Sequence, residues 1–309
     1  MMIETRGLTK HFKDVRAVQG IDLAVEPGEL VALLGPNGAG KSTTLRMLTT
    51  LIEPTSGSAA VAGFDVVRQQ REVRQRIGYI GQGNGAGHNQ RGRDELVSQG
   101  RAYGMRTRDA RVRAAELIDS LGLAEVADRT VSTLSGGQRR RLDIAMGLVH
   151  EPPLLFLDEP STGLDPQNRT NLQEHILRLR AARDTTVVLT THYLDEADSM
   201  AERVIVVDHG QVIADDSPAR LKAKHVGDRI TLGFASEADA RTAAGRVPHR
   251  VEHTATTLLI TVDGAPELLP GLLDDLRLHG VPPTSIEVTR PTLDDVFLEL
   301  TGRSLREGA

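Results

Sequence analysis

A glycine-rich run that follows a short apolar segment constrains the fold of this chain more than any other feature. The apolar segment is residues 30–34, and the run after it reads Gly35-Pro36-Asn37-Gly38-Ala39-Gly40-Lys41-Ser42-Thr43. A short, continuous apolar segment is typical of a strand buried in a parallel sheet. We predict a helix over residues 41–51, so the chain passes from a strand through a tight loop into a helix. This order favours an α/β domain.

The same run has the composition of a phosphate-binding loop. Its glycines let the backbone curl so that N–H groups point at phosphate oxygens, and the helix that begins at Lys41 adds the positive end of its dipole. The run matches the Walker A pattern without a gap, which assigns Lys41 to the β- and γ-phosphates and Ser42 to Mg²⁺. It predicts a nucleoside triphosphate site but no particular function, because kinases, GTPases and motors share it.

Two acidic residues follow a second apolar segment. Residues 154–157 lead directly into Asp158 and Glu159, and a further strand is predicted at 186–190, after a helix that starts near Gln167. Strand, helix and strand at this spacing indicate parallel pairing, and ligands bind at the carboxyl edge of parallel strands. We therefore expect Asp158 to hold Mg²⁺ and Glu159 to act as the general base toward the attacking water.

A pentapeptide shortly before these acids combines a serine with two glycines: Leu134-Ser135-Gly136-Gly137-Gln138. Glycines at a helix start expose backbone N–H groups, and Ser135 adds a hydroxyl, which together make a second anion-binding surface. The string resembles the signature of ABC ATPases. The resemblance implies that residues 135–138 bind the γ-phosphate held by a second copy of the chain, in a head-to-tail dimer that buries two ATP molecules. The alternative is a plain helix capped by Ser135.

Further positions resemble other elements of the ABC family. Gln82 resembles the Q-loop glutamine, which links Mg²⁺ to the membrane partner, and residues 161–165 resemble the D-loop, in which Asp165 reaches across the dimer interface. His192 resembles the H-loop histidine, which contacts the γ-phosphate and joins Lys41 and Glu159 as a catalytic residue. Phe12 lies where the family places an adenine-stacking aromatic residue, although an ordinary core phenylalanine is a competing interpretation.

The segment around Gln82 departs from the family pattern. Gly81 stands where the family often has proline, and residues 83–92 hold more glycine than expected. Both departures leave the details of the partner contact open. We expect a loop here that leads into surface helices, within a helical subdomain at about 83–150.

Charge and composition exclude several classes of protein. The formal net charge of −5 argues against nucleic acid as a partner. Two arginine runs, near 101–113 and at 139–141, are interpreted as solvated helix faces. The absence of cysteine excludes disulfides and thiolate chemistry. We expect no signal peptide, and no segment approaches the ~20 apolar residues of a membrane-spanning helix, so another chain must supply any path across a membrane.

The pattern changes after about residue 225. Strands are predicted at 230–232, 258–262 and 286–288, helices at 236–246 and 266–278, and a last amphipathic helix at 291–301. We therefore expect an ABC ATPase domain at 1–224, with a parallel core sheet, an antiparallel β subdomain and a helical subdomain. An α+β accessory domain at 225–309 follows, and we expect it to be regulatory or to stabilise a dimer. Residues 291–302 resemble the closing segment of the daunorubicin-resistance type of ATPase subunit.

The resemblance implies an ATP-hydrolysing subunit of an ABC transporter, with ATP and Mg²⁺ as its ligands. It implies a location on the cytoplasmic side of the membrane, bound to a separate integral-membrane permease, and export of a drug, antibiotic or other small hydrophobic molecule. One alternative is a soluble ABC ATPase acting on ribosomes or DNA, although ribosomal members usually carry two Walker A motifs and DNA-repair members carry large insertions or zinc-binding cysteines. The other is an inactive scaffold, which the intact set of Lys41, Asp158, Glu159 and His192 argues against.

Overall fold

The apolar segment Leu30–Leu34 forms an inner strand of a six-stranded sheet. The computed structural model describes residues 1–83, 85–262 and 264–302, and the chain divides into two units between Asp215 and Asp216. The boundary expected at residue 224 stays a prediction. The elements of the first unit are, in chain order, β1 Ile3–Phe12, β2 Val15–Val25, β3 Leu30–Leu34, α1 Lys41–Leu48, β4 Ser56–Val61, β5 Phe64–Asp65, α2 Gln70–Arg76, β6 Ile77–Ile80, α3 Gly92–Ala102, α4 Thr107–Ser120, a 3-10 turn Val131–Thr133, α5 Gly136–Leu148, β7 Leu154–Asp158, α6 Pro166–Arg183, β8 Thr186–Thr191, α7 Leu194–Met200, β9 Arg203–Asp208 and β10 Gln211–Asp216.

The six-stranded sheet has the strand order β10-β9-β3-β8-β7-β6, and the neighbours from β9 to β6 run parallel. Strands β3, β7 and β8 are buried along their whole length, which is why their sequences are nearly free of polar alternation. The register pairs Asp158 at the end of β7 with Thr190, and Leu34 at the end of β3 with Thr191. The loops that follow these strands therefore leave from one edge of the sheet.

A second, antiparallel sheet with the order β2-β1-β4-β5 covers one side of the first unit. Its inward side chains share a core with α1 and with the strands of the six-stranded sheet, and with aromatic residues at only 3% of the chain this core is mainly aliphatic. Fully or nearly fully buried members of it are Ile3, Leu8, Val18, Ile21, Leu33, Leu45, Met47, Leu48, Phe156 and Val188. Burial of these aliphatic side chains stabilises the packing of α1 against the sheet.

Helices α3, α4 and α5 pack against one another beside the parallel sheet. The interpretation of the arginine runs as solvated faces is wrong for two members, because Arg113 is only 6% exposed and Arg140 only 8%. Arg113 donates from Nη2 to the carbonyl of Leu148 at 3.1 Å and pairs with Glu116. A buried guanidinium is tolerated here because it is hydrogen-bonded. The arginines at 101, 106, 108 and 111 are exposed, as expected, whereas Arg139 and Arg141 are half-buried.

The second unit contains a four-stranded antiparallel sheet with the order β12-β13-β11-β14. Its elements are α8 Pro218–His225, β11 Asp228–Gly233, α9 Glu237–Ala244, β12 Arg250–Thr254, β13 Thr257–Val262, α10 Ala265–Leu278, β14 Ser285–Thr289 and α11 Leu293–Thr301. Alternate residues of β11 and β13, such as Ile230 and Ile260, are fully buried and form the core with α9 and α10. Within the described ranges of the chain, no helix has both the length and the apolar character needed to cross a membrane.

Candidate nucleotide site

The loop between β3 and α1 has a backbone that only glycine accommodates at two points. Gly40 has φ of 103°, and a Cβ there would lie 2.5 Å from the carbonyl oxygen of Ala17. A Cβ on Gly35 would overlap the carbonyl oxygen of Val207. The loop is therefore held close to β9 and to β2, and Gly40 directly precedes the start of α1. This is the geometry in which backbone N–H groups converge on an anion.

A cavity of about 490 Å³ opens over this loop. It brings together most of the residues that the sequence assigned to nucleotide binding: Phe12, Asn37, Gly38, Ala39, Gly40, Lys41, Ser42, Thr43, Gln82 and Glu159. Its lining also includes Arg16, Gln19 and His209, which the sequence did not single out. The lining does not include Gly35, Pro36, Asp158, His192, Asp165 or residues 135–138. The cavity is therefore formed mainly by the loop, by β1 and β2, and by Gln82 and Glu159.

Lys41 lies at the bottom of the loop and is only 4% exposed. Its Nζ donates to the carbonyl oxygens of Gly35 and Pro36 at 2.6 and 3.0 Å and lies 3.8 Å from Oε1 of Glu159. Burial lowers the pKa of Lys41, and the carboxylates of Glu159 and Asp158 partly oppose this effect. The ammonium is thus already partly stripped of water and sits among acceptors, where a phosphate oxygen can compete for it.

Asp158 is completely buried at the end of β7. Its Oδ1 accepts hydrogen bonds from Ser42 Oγ at 2.8 Å and Thr190 Oγ1 at 2.7 Å, whereas its Oδ2 has no hydrogen-bond partner. Gln82 reaches the same point, since its Nε2 donates to Ser42 Oγ at 3.3 Å. A buried carboxylate oxygen without a donor, beside a hydroxyl and an amide, fits the hard cation Mg²⁺, which prefers oxygen ligands. In the described part of the chain, no group of three His, Cys, Asp or Glu residues is arranged to hold a metal ion.

Glu159 follows Asp158 with a left-handed backbone, φ of 47°. Its N–H donates to Thr190 Oγ1 at 2.9 Å, and its Oε2 accepts from Thr162 Oγ1 at 3.1 Å. His192 Nδ1 lies 3.5 Å from Oε2 and makes no hydrogen bond. The carboxylate is therefore held at the wall of the cavity between Lys41 and His192, where it can accept a proton from a water in the cavity.

The signature residues form a capped helix start. Ser135 Oγ accepts from the N–H of Gln138 at 3.3 Å, and Gln138 Oε1 accepts from the N–H of Ser135 at 2.9 Å. Ser135 therefore caps the helix, as the plain-helix alternative expected. In this cap the Ser135 hydroxyl is only an acceptor, so its O–H can still donate a hydrogen bond to a ligand. Asp165 likewise caps α6, and its hydrogen bonds with Asn168 lower the pKa of its carboxyl.

Comparison with known proteins gives the family. The model of the ABC transporter family matches residues 18–162, and the model "ATP-binding protein DrrA1-3-like, C-terminal domain" matches residues 217–301. The daunorubicin/doxorubicin resistance ATP-binding protein DrrA of Streptomyces peucetius is 44% identical over 99% of this chain and 96% of that protein. This chain belongs to the DrrA family of ABC transporter ATP-binding proteins.

Two further similarities extend the comparison. The linearmycin resistance ATP-binding protein LnrL of Bacillus subtilis is 33% identical over 99% of this chain and all of that protein. A dimeric structure of the ATP-binding cassette MJ0796, in a post-hydrolysis state bound to ADP and Pi, superimposes with a TM-score of 0.64 at 25% identity and covers 70% of this chain and 98% of that one. The predicted family and the predicted ABC ATPase fold with an α+β C-terminal domain are confirmed, and the DrrA-family chain is an ABC-type ATPase coupled to transport.

Sequence reasoning missed two buried residues that hold this ATPase site in shape. Arg140 donates from Nε to Pro160 O at 2.8 Å and from Nη2 to the carbonyls of Asp158 and Glu159 at 3.2 and 3.4 Å. Glu196 Oε2 accepts from Ser161 Oγ at 3.1 Å and from Thr191 Oγ1 at 2.6 Å, and burial raises its pKa.

Each of these two residues fixes a segment on which a motif depends. For Arg140, the one available signal was its position two residues after the signature. Glu196 has no signal in a single sequence, because its two hydroxyl partners are 35 and 5 residues away.

Phe12 is 46% exposed and lines the cavity, so the core interpretation of this residue is wrong. Lys10 Nζ lies 5.1 Å from the centre of its ring. We predict that Phe12→Ala raises the Kd for ATP about tenfold and that Phe12→Tyr does not, because base–aromatic stacking is worth roughly 1–3 kcal/mol. Calorimetric titration measures this, with Val112→Ala as an exposed apolar control. An unchanged Kd in Phe12→Ala would remove Phe12 from the adenine site.

Proposed function

We propose that this chain supplies the energy for export of a drug, antibiotic or other small hydrophobic molecule by a separate integral-membrane permease. The observation that carries the proposal is the likeness to a daunorubicin/doxorubicin resistance protein, which extends over both units of the chain. The related protein of Bacillus subtilis is named for resistance to a different compound, linearmycin, so a class of cargo rather than one cargo is proposed. The chain itself would lie on the cytoplasmic side of the membrane, held by the permease.

The proposed hydrolytic step uses the geometry around the cavity. The loop N–H groups and Lys41 bind the β- and γ-phosphates, while Ser42, Asp158 and Gln82 would hold Mg²⁺. When bound, this ion neutralises charge on the phosphate oxygens. Glu159 accepts the proton of the attacking water and orients it toward the γ-phosphate. His192 and Lys41 stabilise the charge that develops there.

The proposed working unit is a head-to-tail dimer. The cavity of one chain lacks residues 135–138, which lie at the start of α5, where Ser135 and Gly136 are exposed. A second copy would bring Ser135 and the N–H groups of Gly136 and Gly137 over the γ-phosphate and exclude water, and Asp165 of the D-loop would cross the interface. The dimeric state of the ADP-bound cassette MJ0796 supports this arrangement.

The test is to isolate the partner and measure transport. We expect the tagged chain, pulled down from membranes of its native host, to carry a permease with several membrane spans, identified by mass spectrometry. Inside-out vesicles that contain both chains should then accumulate at least one member of a panel of hydrophobic drugs, daunorubicin included, only with ATP, and vesicles with the Glu159→Gln chain should accumulate none. Recovery of ribosomes or DNA-repair proteins in place of a permease would contradict the transport proposal and leave the ATPase activity in place.

A further inference from the structure

The segment that carries Gln82 is held by bonds other than those of Gln82. Residues 81–91 connect β6 with α3, and Gln82 itself is exposed. Its one hydrogen bond to the site, to Ser42 Oγ, is 3.3 Å long and joins two uncharged groups. Such a bond is too weak to fix a glycine-rich loop against its conformational entropy. Something else must place Gln82 beside the phosphates.

Before Gln82, the loop is held by Arg140. Nη1 of this buried guanidinium donates to the carbonyl oxygen of Gly81 at 2.6 Å. Its remaining hydrogen bonds go to the carbonyls of Asp158, Glu159 and Pro160. The planar guanidinium of Arg140 therefore joins the backbone of the Gln82 loop to the backbone of the two acidic residues. Because the guanidinium is rigid, it fixes the distance between the loop and these residues.

After Gln82, the loop is held by Asp143. Its Oδ1 accepts from the N–H of Gly85 at 3.1 Å and from the N–H of Ala86 at 3.0 Å. Asp143 is only 4% exposed, and its Oδ2 has no hydrogen-bond partner. Burial raises the pKa of Asp143, whereas these two N–H groups and the neighbouring Arg140 and Arg139 favour its charged form. For packing alone, an apolar side chain would serve as well without the desolvation of a carboxylate.

Arg140 and Asp143 lie three residues apart on α5, so they share one face of the helix. The first turn of the same helix carries residues 135–138. We propose that Arg140 and Asp143 are positioning residues that form a clamp on both sides of Gln82, so that Gln82 and the signature helix move as one piece. The clamp rests on the proposed role of Gln82 at the nucleotide.

The test measures ATP hydrolysis and amide exchange on the purified full-length chain, which needs no permease. We expect Asp143→Ala to lower kcat about tenfold, as much as Gln82→Ala does, with KM for ATP changed less than about twofold, since the phosphate loop is untouched. The double variant should be no slower than either single variant, because Asp143 acts through Gln82. Amide exchange at Gly85 and Ala86 should accelerate at least about tenfold. Asp143→Asn, which keeps an acceptor oxygen, should restore most of kcat and protection.

The controls separate the clamp from other causes. Asp119→Ala removes an exposed aspartate from the neighbouring helix α4 and should change nothing. Asp143→Leu, which fills the space without an acceptor, replaces Asp143→Ala if that variant does not fold. A wild-type kcat in the folded variant, or losses that multiply in the double variant, would overturn the clamp. A wild-type kcat in Gln82→Ala would overturn the role of Gln82 together with the clamp, whereas none of these results bears on the export proposal.

Discussion

Glu159→Gln is expected to lower kcat for ATP hydrolysis by about 10²–10⁴-fold, the range typical of a lost general base, while ATP binding is retained. The amide has the same shape as the carboxylate, so the contacts with Thr162 and the backbone bonds to Thr190 should persist. What disappears is the ability to take a proton from the water. Because Lys41 and the loop N–H groups are unchanged, the Kd for ATP should stay within about threefold.

The same variant should accumulate as an ATP-bound dimer. Hydrolysis is the step that reopens the proposed dimer, so a chain that binds but does not hydrolyse ATP should remain closed. Size-exclusion chromatography with light scattering, with and without Mg²⁺ and ATP, measures this. Glu174→Gln, an exposed glutamate paired with Arg178 on α6, is the matched control and should behave as wild type. Turnover within about twofold of wild type in Glu159→Gln would remove Glu159 from the role of base.

The local parts of the site were predictable because each is a continuous stretch of sequence. The phosphate loop and the acids after residues 154–157 each follow an apolar strand, and parallel strands end at a common edge. The contact between Ser42 and Asp158, which are 116 residues apart, follows from that rule alone. Most elements of the second unit were also predicted, to within a few residues.

Elements between residues 52 and 80 were not predicted, because their sequences carry little apolar alternation. Three of the six residues of β4 are exposed, and β4 is stabilised by pairing with β1 about fifty residues earlier. The helix expected at 41–51 ends at Leu48, since Thr50 adopts a left-handed backbone with φ of 64°. Tertiary contacts override a local pattern in both cases.

The buried arginines show a second limit of prediction from the sequence. Arg140 and Arg113 each lie in a run of arginines. The hydrogen bonds of Arg140 go to backbone carbonyls, and Arg113 bonds to the carbonyl of Leu148 and pairs with Glu116 and Glu151. A carbonyl has no sequence signature, so a buried arginine bound to carbonyls cannot be told from an exposed one by pattern. The same holds for Asp143, whose partners are the N–H groups of Gly85 and Ala86. Arg140 and Asp143 were missed for this reason, whereas Glu196 was missed although its partners are the hydroxyls of Ser161 and Thr191.

A mixture of Lys41→Ala and Ser135→Arg chains is expected to hydrolyse ATP although neither variant does so alone. Lys41 lines the cavity, whereas Ser135 does not. In a head-to-tail dimer, each site consists of the cavity of one chain and residues 135–138 of the other. A mixed dimer therefore holds one site that carries both substitutions and one site that carries neither. Random assortment gives mixed dimers in about half of cases, hence intact sites at about a quarter of the total.

The matched control for the composite site is a mixture of Lys41→Ala with Glu159→Gln chains. Lys41 Nζ and Glu159 Oε1 are 3.8 Å apart in one chain, so both substitutions alter the same cavity. Every cavity in every dimer then carries one of the two substitutions, and no dimer has an intact site. Ser135 is exposed, so the arginine should disturb folding by no more than the loss of a helix cap, about 1 kcal/mol. Differently tagged chains verify by co-purification that mixed dimers form. Mixed dimers without recovered hydrolysis, or equal recovery in both mixtures, would contradict the head-to-tail arrangement, because only that arrangement separates Ser135 from Lys41 and keeps Glu159 with it.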